Sequence, residues 1–577
     1  MRKKSMRKKS MRVVDYIMHF LVQKGSDSIF LLTGNGAMYI NDAIAKYDQL
    51  TYYCARHEAA APMMAESYAR LTGKLGIVCV TSGPGATNAV SGLAEAWVDS
   101  APILVLSGQS PTDQMPREDS INKVRGFGTA GFDIVPVVEP ITKYAVTIKD
   151  PSTVRYHLEK AYHVATSGRP GPVWIDLPMD VQYAEINPDN LQSFVPEVDV
   201  LTTSDEVKDI FSLFKKSKKP LILGGHGLRQ SKSLDKFNKL INKLQLPVAF
   251  SRLGQDILPY SHDLNLGQVG RRGQRYSKEL LSSADLVLVL GCRLAAPLAG
   301  ENLDHFDKNS KIIMIDIDPA ELEFHKERLD MKVCGDVNLF IDKFHADLKI
   351  TEMPDWSSWL KSCQLLKERN PMLVEDKLLK PKDPIDLYYF MSSLDKRSDE
   401  NNVLTTDAGS NYYVGGQVYH FEKNQREVTS AAYAAMGLSI PLAIGAAVAC
   451  PKKQILAVTG DGSLELNIQE LKTISYYGFN IKLFVINNGG YVSMRKWQDK
   501  FFDGRRIGSD DETGAEMLNL ELVAKTFEIP YKCIQKSNEV NGSLKEIMSS
   551  SGPVFVEVVC DSMQEIIQPY LETELSS

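Results

Sequence analysis

The sequence predicts an α/β protein with three domains, each built on a doubly wound parallel sheet. Short apolar runs bounded by Gly and Pro alternate with segments of helical periodicity, which is typical of βαβ units with buried parallel strands. The apolar runs fall into three groups, and stretches rich in Pro and charged residues separate them. A chain of 577 residues is also too long for one ordinary core. We therefore expect domains at residues 11–190, 200–350 and 375–577.

The first group predicts a parallel sheet with helical crossovers. Its apolar runs are "SIFLLTG", "LGIVCVTSG" and "PILVLSG", and "HEAAAPMMAESYARLTG" has the pattern of a helix between strands. This rhythm ends near "GRPGPVWIDLPMDVQ", where a Pro- and Asp-rich linker begins.

The second and third groups repeat the pattern. The strands predicted for the second group are "KPLILGG", "LPVAFSR", "ADLVLVLG" and "KIIMIDID". A second linker, "KERNPMLVEDKLLKPKDP", precedes the strands of the third group, which are "NVLTTD", "QILAVTGDG", "IKLFVINN" and "GPVFVEVV". In such sheets ligands bind at the carboxyl ends of the strands, where the Gly-rich segments fall.

The overall composition restricts the classes of function and the compartment. Hydrophobic residues at 44% and charged residues at 24% are those of a globular protein, and a net charge of −6 disfavours nucleic-acid binding. The eight cysteines show no close pairing, which favours a cytoplasmic setting without a zinc or disulfide framework. The basic start leads into the amphipathic "VVDYIMHFLVQKG", so neither an export signal nor a membrane span is predicted.

Two polar residues stand at the ends of neighbouring strands in the third domain. Asp461 follows "ILAVT", Asn488 follows "LFVI", and "NIQELKTISYYG" between them is expected to be one crossover helix. Both side chains should then emerge at the same edge of the sheet. A carboxylate, a carboxamide and a glycine carbonyl suit an octahedral Mg²⁺ that completes its shell with phosphate and water. Taken singly, each residue is also what an ordinary strand-to-helix turn prefers.

The spacing from "GDG" to "NN" resembles the diphosphate motif of thiamin-diphosphate enzymes. The resemblance implies that Asp461, Asn488 and the Gly490 carbonyl bind Mg²⁺. It also implies cofactor contacts in the same domain, at Ser410, Gly460, Gly462, Ser463 and Tyr491. The first and third domains then correspond to the pyrimidine-binding and diphosphate-binding domains of this family.

"RHEAAAPMMAESYARLTGKLGIVCVTSGPGATNAVSGLAEAWVDSAPILVLSGQ" is similar to the acetolactate-synthase branch of the family. The resemblance implies that Glu58 activates the cofactor through its pyrimidine ring, and that Met436 supports the bent cofactor. The alternatives are that Glu58 caps the following helix and that Met436 fills the core. Glu58 and Asp461 would come from different subunits, so the resemblance implies a homodimer or homotetramer with active sites at the subunit interface.

Other segments resemble further parts of the same enzymes. The middle domain is similar to a domain that holds a structural FAD, but its Gly-rich turns can persist without the nucleotide, so FAD binding is left open. Gln109 ends the strand "PILVLSG" at the active-site edge, or it satisfies loop backbone groups. Gly36 offers a backbone N–H to a substrate oxyanion or is simply a turn glycine. The role of Asn35 beside it is left open for the same reason.

Three segments bear on the second substrate. Trp497 stands where acetolactate synthases have a Trp that shapes the acceptor pocket, although interface packing is an alternative. Those synthases carry an Arg for the acceptor carboxylate where this chain has Ala295, Ala296 and Pro297. They also carry a Phe-Gln-Glu run where this chain has 129–131, "TAG".

These differences, and a resemblance to enzymes of polysaccharide and deoxysugar pathways, predict the reaction. We expect decarboxylation of a small 2-oxo acid, pyruvate, and transfer of the two-carbon unit to a keto-sugar. One alternative is a true acetolactate synthase of branched-chain amino-acid biosynthesis whose acceptor site uses Arg271, Arg272, Arg495 or Lys496. The others are a flavin-dependent pyruvate oxidase and a catalytically silent cofactor-binding subunit.

Overall fold

The computed structural model describes residues 10–115, 125–196, 204–348, 352–373 and 383–570. It contains three domains, each with a six-stranded parallel sheet flanked by helices, which confirms the predicted fold class. The predicted boundaries at 200, 350, 375 and 577 lie outside the described residues, as does the basic start up to residue 9. None of the helices in the described ranges combines the length and apolar character that a bilayer crossing requires.

The N-terminal sheet has the strand order β3-β2-β4-β5-β7-β6, and β1 pairs with β8 in a small antiparallel ribbon. The strands are β1 (Met11–Arg12), β2 (Ser28–Leu31), β3 (Thr51–Cys54), β4 (Gly76–Val80), β5 (Ile103–Gln109), β6 (Tyr144–Thr147), β7 (Val173–Pro178) and β8 (Glu185–Ile186). The α-helices of this part are Val13–Gln23, Met38–Ala45, Ala60–Thr72, Pro84–Asn88, Val90–Val98, Val135–Val138, Val154–Thr166 and Met179–Tyr183.

The central sheet has the order β11-β10-β9-β12-β13-β14. Its strands are β9 (Pro220–Gly224), β10 (Val248–Phe250), β11 (Asn265–Gln268), β12 (Leu286–Leu290), β13 (Lys311–Asp316) and β14 (Met331–Cys334). The α-helices of this part are Ser204–Lys216, Gly227–Gln230, Leu234–Leu244, Ser277–Ser283, Ala296–Ala299, Pro319–Phe324, Val337–Leu348 and Ser357–Arg369.

The C-terminal sheet has the order β16-β15-β17-β18-β20-β19. Its strands are β15 (Asn402–Thr406), β16 (Arg426–Val428), β17 (Gln454–Gly460), β18 (Ile481–Asn487), β19 (Tyr531–Ile534) and β20 (Val554–Val559). The α-helices of this part are Leu387–Asp395, Ser410–Val418, Ser439–Ala449, Asp461–Leu464, Leu471–Tyr477, Val492–Phe501, Leu520–Thr526 and Val540–Ser549.

The crossover between β17 and β18 differs from the single helix that we predicted. The short helix Asp461–Leu464 comes first, and the 3₁₀ segment Glu465–Glu470 that follows it is interrupted at Asn467, whose φ of −137° is not helical. The α-helix Leu471–Tyr477 follows and ends at Gly478 in the left-handed region. The Asn467 side chain donates to the carbonyl of Gly437 at 3.1 Å, and this contact with a distant segment holds the break.

The chain divides into two compact units that do not coincide with the three sheets. The first unit contains residues 1–198, 432–452 and 465–481, and the second contains the rest of the chain. Within the first unit, helix Ser439–Ala449 packs on helix Ala60–Thr72, and the Ser67 hydroxyl donates to the carbonyl of Leu442 at 2.7 Å. A Cβ at Gly445 would lie 2.1 Å from the carbonyl oxygen of Met64, so the close crossing of the two helices requires glycine there.

Candidate active site

The C-terminal sheet brings Asp461 and the segment 488–490 to one edge. β17 ends at Gly460 and β18 ends at Asn487, and the two strands are neighbours. Because parallel strands point the same way, the residues that follow them meet at one edge of the sheet. The Asp461 carboxylate accepts the backbone N–H of Asn488 and of Gly490, both at 3.0 Å. The predicted ligand positions are therefore adjacent.

The Asp461 side chain is buried and held by the backbone alone. Its second oxygen accepts the N–H of Gly462 at 2.8 Å, and the residue is 3% exposed. Burial raises the pKa of Asp461 above its ordinary value, and the backbone N–H donors oppose that rise. An ionised carboxylate has about four acceptor positions, so three N–H donors leave room for a cation.

The metal loop, Asn488–Gly490, supplies the other oxygens. Gly489 and Gly490 have φ of +72° and +105°, in the region that glycine adopts without strain. The Gly490 carbonyl accepts the N–H of Val492 at 3.0 Å and keeps a second lone pair. The Asn488 side chain makes no hydrogen bond within the described part of the chain. A carboxylate, a free carboxamide and a carbonyl at one edge fit Mg²⁺.

Two glycines beside Asp461 have different surroundings. A Cβ at Gly462 would lie 2.2 Å from the Tyr491 ring, so that ring approaches the backbone more closely than any side chain at 462 would allow. A Cβ at Gly460 would meet nothing closer than Ser463, at 3.9 Å. Ser463 is buried in the short helix after β17. The cofactor contacts expected of these four residues stay predictions.

Ser410 is the first residue of helix Ser410–Val418, which follows β15 at the same edge of the sheet. Fully buried Asp407 fixes the start of this helix, because it accepts the Thr459 hydroxyl at 2.6 Å and the Asn411 carboxamide at 3.0 Å. Our sequence reasoning missed this acid. Its signal was present, since "TTDAGS" repeats the strand, acid and glycine pattern of "VTGDGS".

Glu58 lies between β3 and helix Ala60–Thr72 and is 8% exposed. Its carboxylate accepts the Asn88 carboxamide at 3.0 Å. The helix begins at Ala60, its N-cap is Ala59, and no side chain caps it. The interpretation of Glu58 as a helix cap is therefore wrong. Its role toward a cofactor stays a prediction.

Glu470 fixes the backbone just before Glu58. Within the first unit, its carboxylate accepts the N–H of Arg56 at 2.8 Å and of His57 at 3.0 Å, together with the Thr473 hydroxyl at 2.8 Å. Glu470 is fully buried, and burial raises its pKa. Glu470 could not be found from sequence, because the backbone groups that it holds, at Arg56 and His57, lie more than 400 positions away.

Gly36 uses both of its backbone groups inside the N-terminal domain. Its N–H donates to the Thr81 hydroxyl at 3.0 Å, and its carbonyl accepts the Gln182 carboxamide at 2.7 Å. A substrate oxyanion would have to share that N–H with Thr81. The oxyanion role of Gly36 stays a prediction, as does any role of exposed Asn35.

Gln109 ends β5 and is 1% exposed. Its carboxamide donates to the Phe132 carbonyl at 2.6 Å and to Asp176 at 3.0 Å, and it accepts the N–H of Ser110 at 3.0 Å. These contacts match the second interpretation, in which Gln109 satisfies loop groups. Burial raises the pKa of its partner Asp176 to about 7.

Trp497 and Met436 differ in their exposure to solvent. Trp497 lies on helix Val492–Phe501, is 55% exposed and stacks on Phe501 with ring centroids 4.9 Å apart. Met436 is half-buried ahead of helix Ser439–Ala449. The role of Trp497 in an acceptor pocket and that of Met436 in supporting the bent cofactor stay predictions.

The four cations proposed as alternative acceptor ligands have different surroundings. Arg495 is buried and donates to backbone carbonyls, and Lys496 donates to the Gln564 carbonyl at 2.6 Å. Arg272 lies over the Tyr413 ring, 3.5 Å from its centroid. Arg271 is exposed, whereas Arg272 and Lys496 are half-buried.

The Gly-rich turns of the central domain pack on each other. The N–H of Gly225 donates to the Leu290 carbonyl and that of Gly227 to the Gly291 carbonyl, both at 3.0 Å. A Cβ at Gly225 would lie 2.1 Å from the Gly291 oxygen. Backbone carbonyls therefore occupy both of these N–H groups, and FAD binding by the central domain stays an open prediction.

Three family models match the chain. They describe the N-terminal TPP binding domain, the central domain and the C-terminal TPP binding domain of thiamine pyrophosphate enzymes, over residues 11–131, 207–344 and 407–558.

Curated relatives match nearly the whole chain. The acetolactate synthase large subunit of Lactococcus lactis subsp. lactis is 32% identical over 96% of this chain and 93% of its own length. A probable acetolactate synthase large subunit of Methanocaldococcus jannaschii is 31% identical over 96% of this chain and 93% of its own length. The chloroplastic acetolactate synthase of Arabidopsis thaliana is 30% identical, with 96% and 82% covered.

Proposed function

Since the chain belongs to the family of thiamine pyrophosphate enzymes, in its acetolactate synthase-like branch, we propose that it decarboxylates pyruvate and transfers the two-carbon unit to a keto-sugar. The adjacency of Asp461 and the metal loop at the ends of β17 and β18 carries this proposal. When bound, thiamin diphosphate supplies the carbanion chemistry that decarboxylates 2-oxo acids.

The residues of the C-terminal domain would anchor the cofactor through Mg²⁺. Asp461 would provide a carboxylate oxygen, Asn488 its carboxamide oxygen and Gly490 its carbonyl, and the diphosphate and water would complete the octahedron. This anchor fixes one end of the cofactor and leaves the chemistry to the other end. Magnesium binding is tested by titrating the apo protein with Mg²⁺ and thiamin diphosphate together.

Glu58 would hold a proton at the pyrimidine nitrogen of the cofactor. Its position is restrained by Asn88, which donates to its carboxylate, and by Glu470, which holds the backbone just before it. A carboxyl group that is already held in one position loses less conformational entropy when it binds the pyrimidine nitrogen. The proton transfer that it supports is therefore pre-organised. The partner's copy of this domain would provide Glu58 to each active site, in a homodimer or homotetramer.

The charges available to the second substrate favour an acceptor without a carboxylate. Residues 295–297 carry no charge, and Arg495 and Lys496 donate to backbone carbonyls. A substrate carboxylate without a charge-assisted partner would lose much of its binding energy. A keto-sugar presents a carbonyl and hydroxyl groups, for which neutral side chains suffice.

A second candidate is supported by the names of the relatives, which are acetolactate synthases. In that case the acceptor is a second 2-oxo acid, and Arg271 is the solvent-exposed cation among those proposed to bind its carboxylate. Mass analysis of the products from pyruvate alone separates the candidates. Abundant acetolactate with pyruvate alone would establish the second candidate, and products that form only when a keto-sugar is added would establish the first.

The remaining alternatives are tested with the purified protein. A pyruvate oxidase would contain FAD that pyruvate bleaches. An absorbance spectrum of the purified protein, recorded before and after pyruvate is added, tests for that flavin. A silent subunit would show no change in any measured activity when Glu58 is replaced by Gln. We also propose a reducing, cytoplasmic setting, because none of the eight cysteines, which all lie in the described ranges, forms a disulfide.

A further inference from the structure

Arg495 is a buried cation whose hydrogen bonds all go to backbone oxygens. It is 6% exposed and lies on the first turn of helix Val492–Phe501. In the part of the chain that the structure describes, no carboxylate forms an ion pair with it. Burying a guanidinium costs free energy unless its N–H donors are hydrogen-bonded. The acceptors that it binds therefore indicate its role.

The guanidinium joins three segments that are separate along the chain. One terminal nitrogen donates to the Asn488 carbonyl at 3.0 Å and to the Ser562 carbonyl at 3.2 Å. The other donates to the Gly489 carbonyl and, at 3.4 Å, to the Ser509 carbonyl. Two of the four acceptors therefore belong to the metal loop.

These bonds determine which oxygen of the metal loop remains available. Asp461 binds the N–H groups of Asn488 and Gly490 from one side, and Arg495 binds the carbonyls of Asn488 and Gly489 from the other. Of the three carbonyls of the metal loop, only that of Gly490 receives no hydrogen bond from Arg495. A loop with two glycines in the left-handed region would otherwise sample many conformations.

We propose that Arg495 is a positioning residue that pre-organises the metal loop for a divalent cation bound to a diphosphate. The proposal rests on the proposed magnesium site. By holding the carbonyls of Asn488 and Gly489, Arg495 directs the Gly490 carbonyl and the Asn488 carboxamide toward the cation. Its own positive charge disfavours a bare Mg²⁺ nearby, so the metal binds well only together with the diphosphate, whose negative charge offsets both cations.

This role differs from that of an acceptor ligand. A guanidinium that is 6% exposed and donates to four carbonyls has no free edge for a substrate carboxylate. The two roles separate in kinetics, because loss of a positioning residue weakens cofactor binding and leaves the KM of the acceptor unchanged once the cofactor is saturating. Loss of an acceptor ligand would raise that KM instead.

The experiment compares the apo forms of wild type, Arg495→Lys and Arg495→Gln. Lys keeps the charge but cannot span three segments, and Gln removes the charge. Thiamin diphosphate is titrated at fixed Mg²⁺ by calorimetry and by quenching of intrinsic tryptophan fluorescence, to which Trp497, two residues from Arg495, contributes. Arg506→Lys is the matched control, because Arg506 pairs with Asp499 and Asp510 in a partly exposed position.

We expect both Arg495 variants to bind thiamin diphosphate with Mg²⁺ about 10- to 100-fold more weakly than wild type. Losses of this size are common when residues that orient metal ligands are removed. The control should bind like wild type. We also expect Mg²⁺ alone to bind wild type far more weakly than Mg²⁺ with the diphosphate. Wild-type affinity in Arg495→Lys and Arg495→Gln would overturn the proposal, and so would a lower apo melting temperature with unchanged affinity. If wild type itself bound no Mg²⁺ and cofactor, the proposed site would fail with it.

Discussion

At the scale of single residues, Glu58 shows how much of a candidate active site depends on neighbours that are distant in sequence. Its carboxylate is bound by Asn88, and Glu470 holds the N–H groups of Arg56 and His57. Glu58 could be predicted from the sequence, because the segment that contains it is similar to a segment of acetolactate synthases. Asn88 and Glu470 could not be predicted, since they contact Glu58 or the residues before it only when the chain is folded.

We expect Glu58→Gln to lower the turnover of pyruvate by about 10²- to 10⁴-fold, the usual contribution of a positioned acid or base. Gln cannot hold the ionisable proton but has nearly the same shape, so cofactor affinity should stay within a few-fold of wild type. Initial rates of CO₂ release and a cofactor titration measure the two effects. Glu139→Gln, the same change at an exposed acid of that domain, should leave both unchanged. Full turnover in Glu58→Gln would remove this residue from the mechanism.

At the scale of elements, the inner strands of each sheet were predicted, and the two edge strands of each sheet and the connections were not. Each apolar run that we singled out contains a strand, because strands buried on both faces of a parallel sheet are continuously apolar. The crossover after β17 was expected to be one helix, yet it breaks at Asn467, whose side chain bonds to the Gly437 carbonyl. Hydrophobic periodicity over a short window of sequence cannot predict such a bond, because the acceptor lies 30 residues away.

The metal loop shows the same limit. The motif predicts Asp461 and Asn488 as ligand positions, because each follows a strand. It does not predict that Arg495 holds the loop, since the other acceptors are the carbonyls of Ser509 and Ser562, on separate segments. From the sequence alone, Arg495 would therefore be predicted to be an ordinary exposed cation.

The two glycines beside Asp461 give a matched prediction about packing. Gly462→Ala places a methyl group 2.2 Å from the Tyr491 ring, so the ring or the helix must move, and overpacking of this kind costs about 1–3 kcal/mol. Gly460→Ala meets nothing closer than Ser463, at 3.9 Å, and should cost much less. Urea unfolding of the apo proteins measures both. Equal midpoints for the two variants would show that the contact between Gly462 and Tyr491 is not tight.

At the scale of the whole molecule, a buried group of charges in the first unit predicts how stability depends on pH. Carboxylate oxygens of Glu66, Glu95 and Asp99 all lie within 4.8 Å of one another, and Arg70 bonds to Glu66 at 2.9 Å. Burial raises the pKa of Glu66 from 4.5 to about 7, Arg70 opposes that rise and Asp99 adds to it. The folded protein therefore binds a proton that the unfolded chain releases above about pH 4.5.

A raised carboxyl pKa stabilises the folded state below the unfolded value, and this contribution is lost as the pH rises through about 7. We expect the melting temperature of wild type to fall between about pH 5 and pH 8, and the fall to be smaller in Glu66→Gln, which cannot ionise. Glu139→Gln is again the control, because its side chain is exposed. A fall of the same size in wild type and Glu66→Gln would show that Glu66 is ionised in the folded protein throughout.

The proposed sharing of active sites between subunits makes the strongest whole-molecule prediction. Glu58 belongs to the first compact unit and Asp461 to the second, and we propose that each site combines Glu58 of one subunit with Asp461 of another. Glu58→Gln and Asp461→Asn should each inactivate the enzyme when present alone. In a dimer with one copy of each variant, one site would carry both changes and the other neither. Co-expression in equal amounts, with a different tag on each chain, should then restore about a quarter of wild-type activity, because half of the dimers are mixed and half of their sites are intact. If each site were built within one chain, every site of the mixed dimer would carry one change, and purified mixed dimers would be as inactive as either variant.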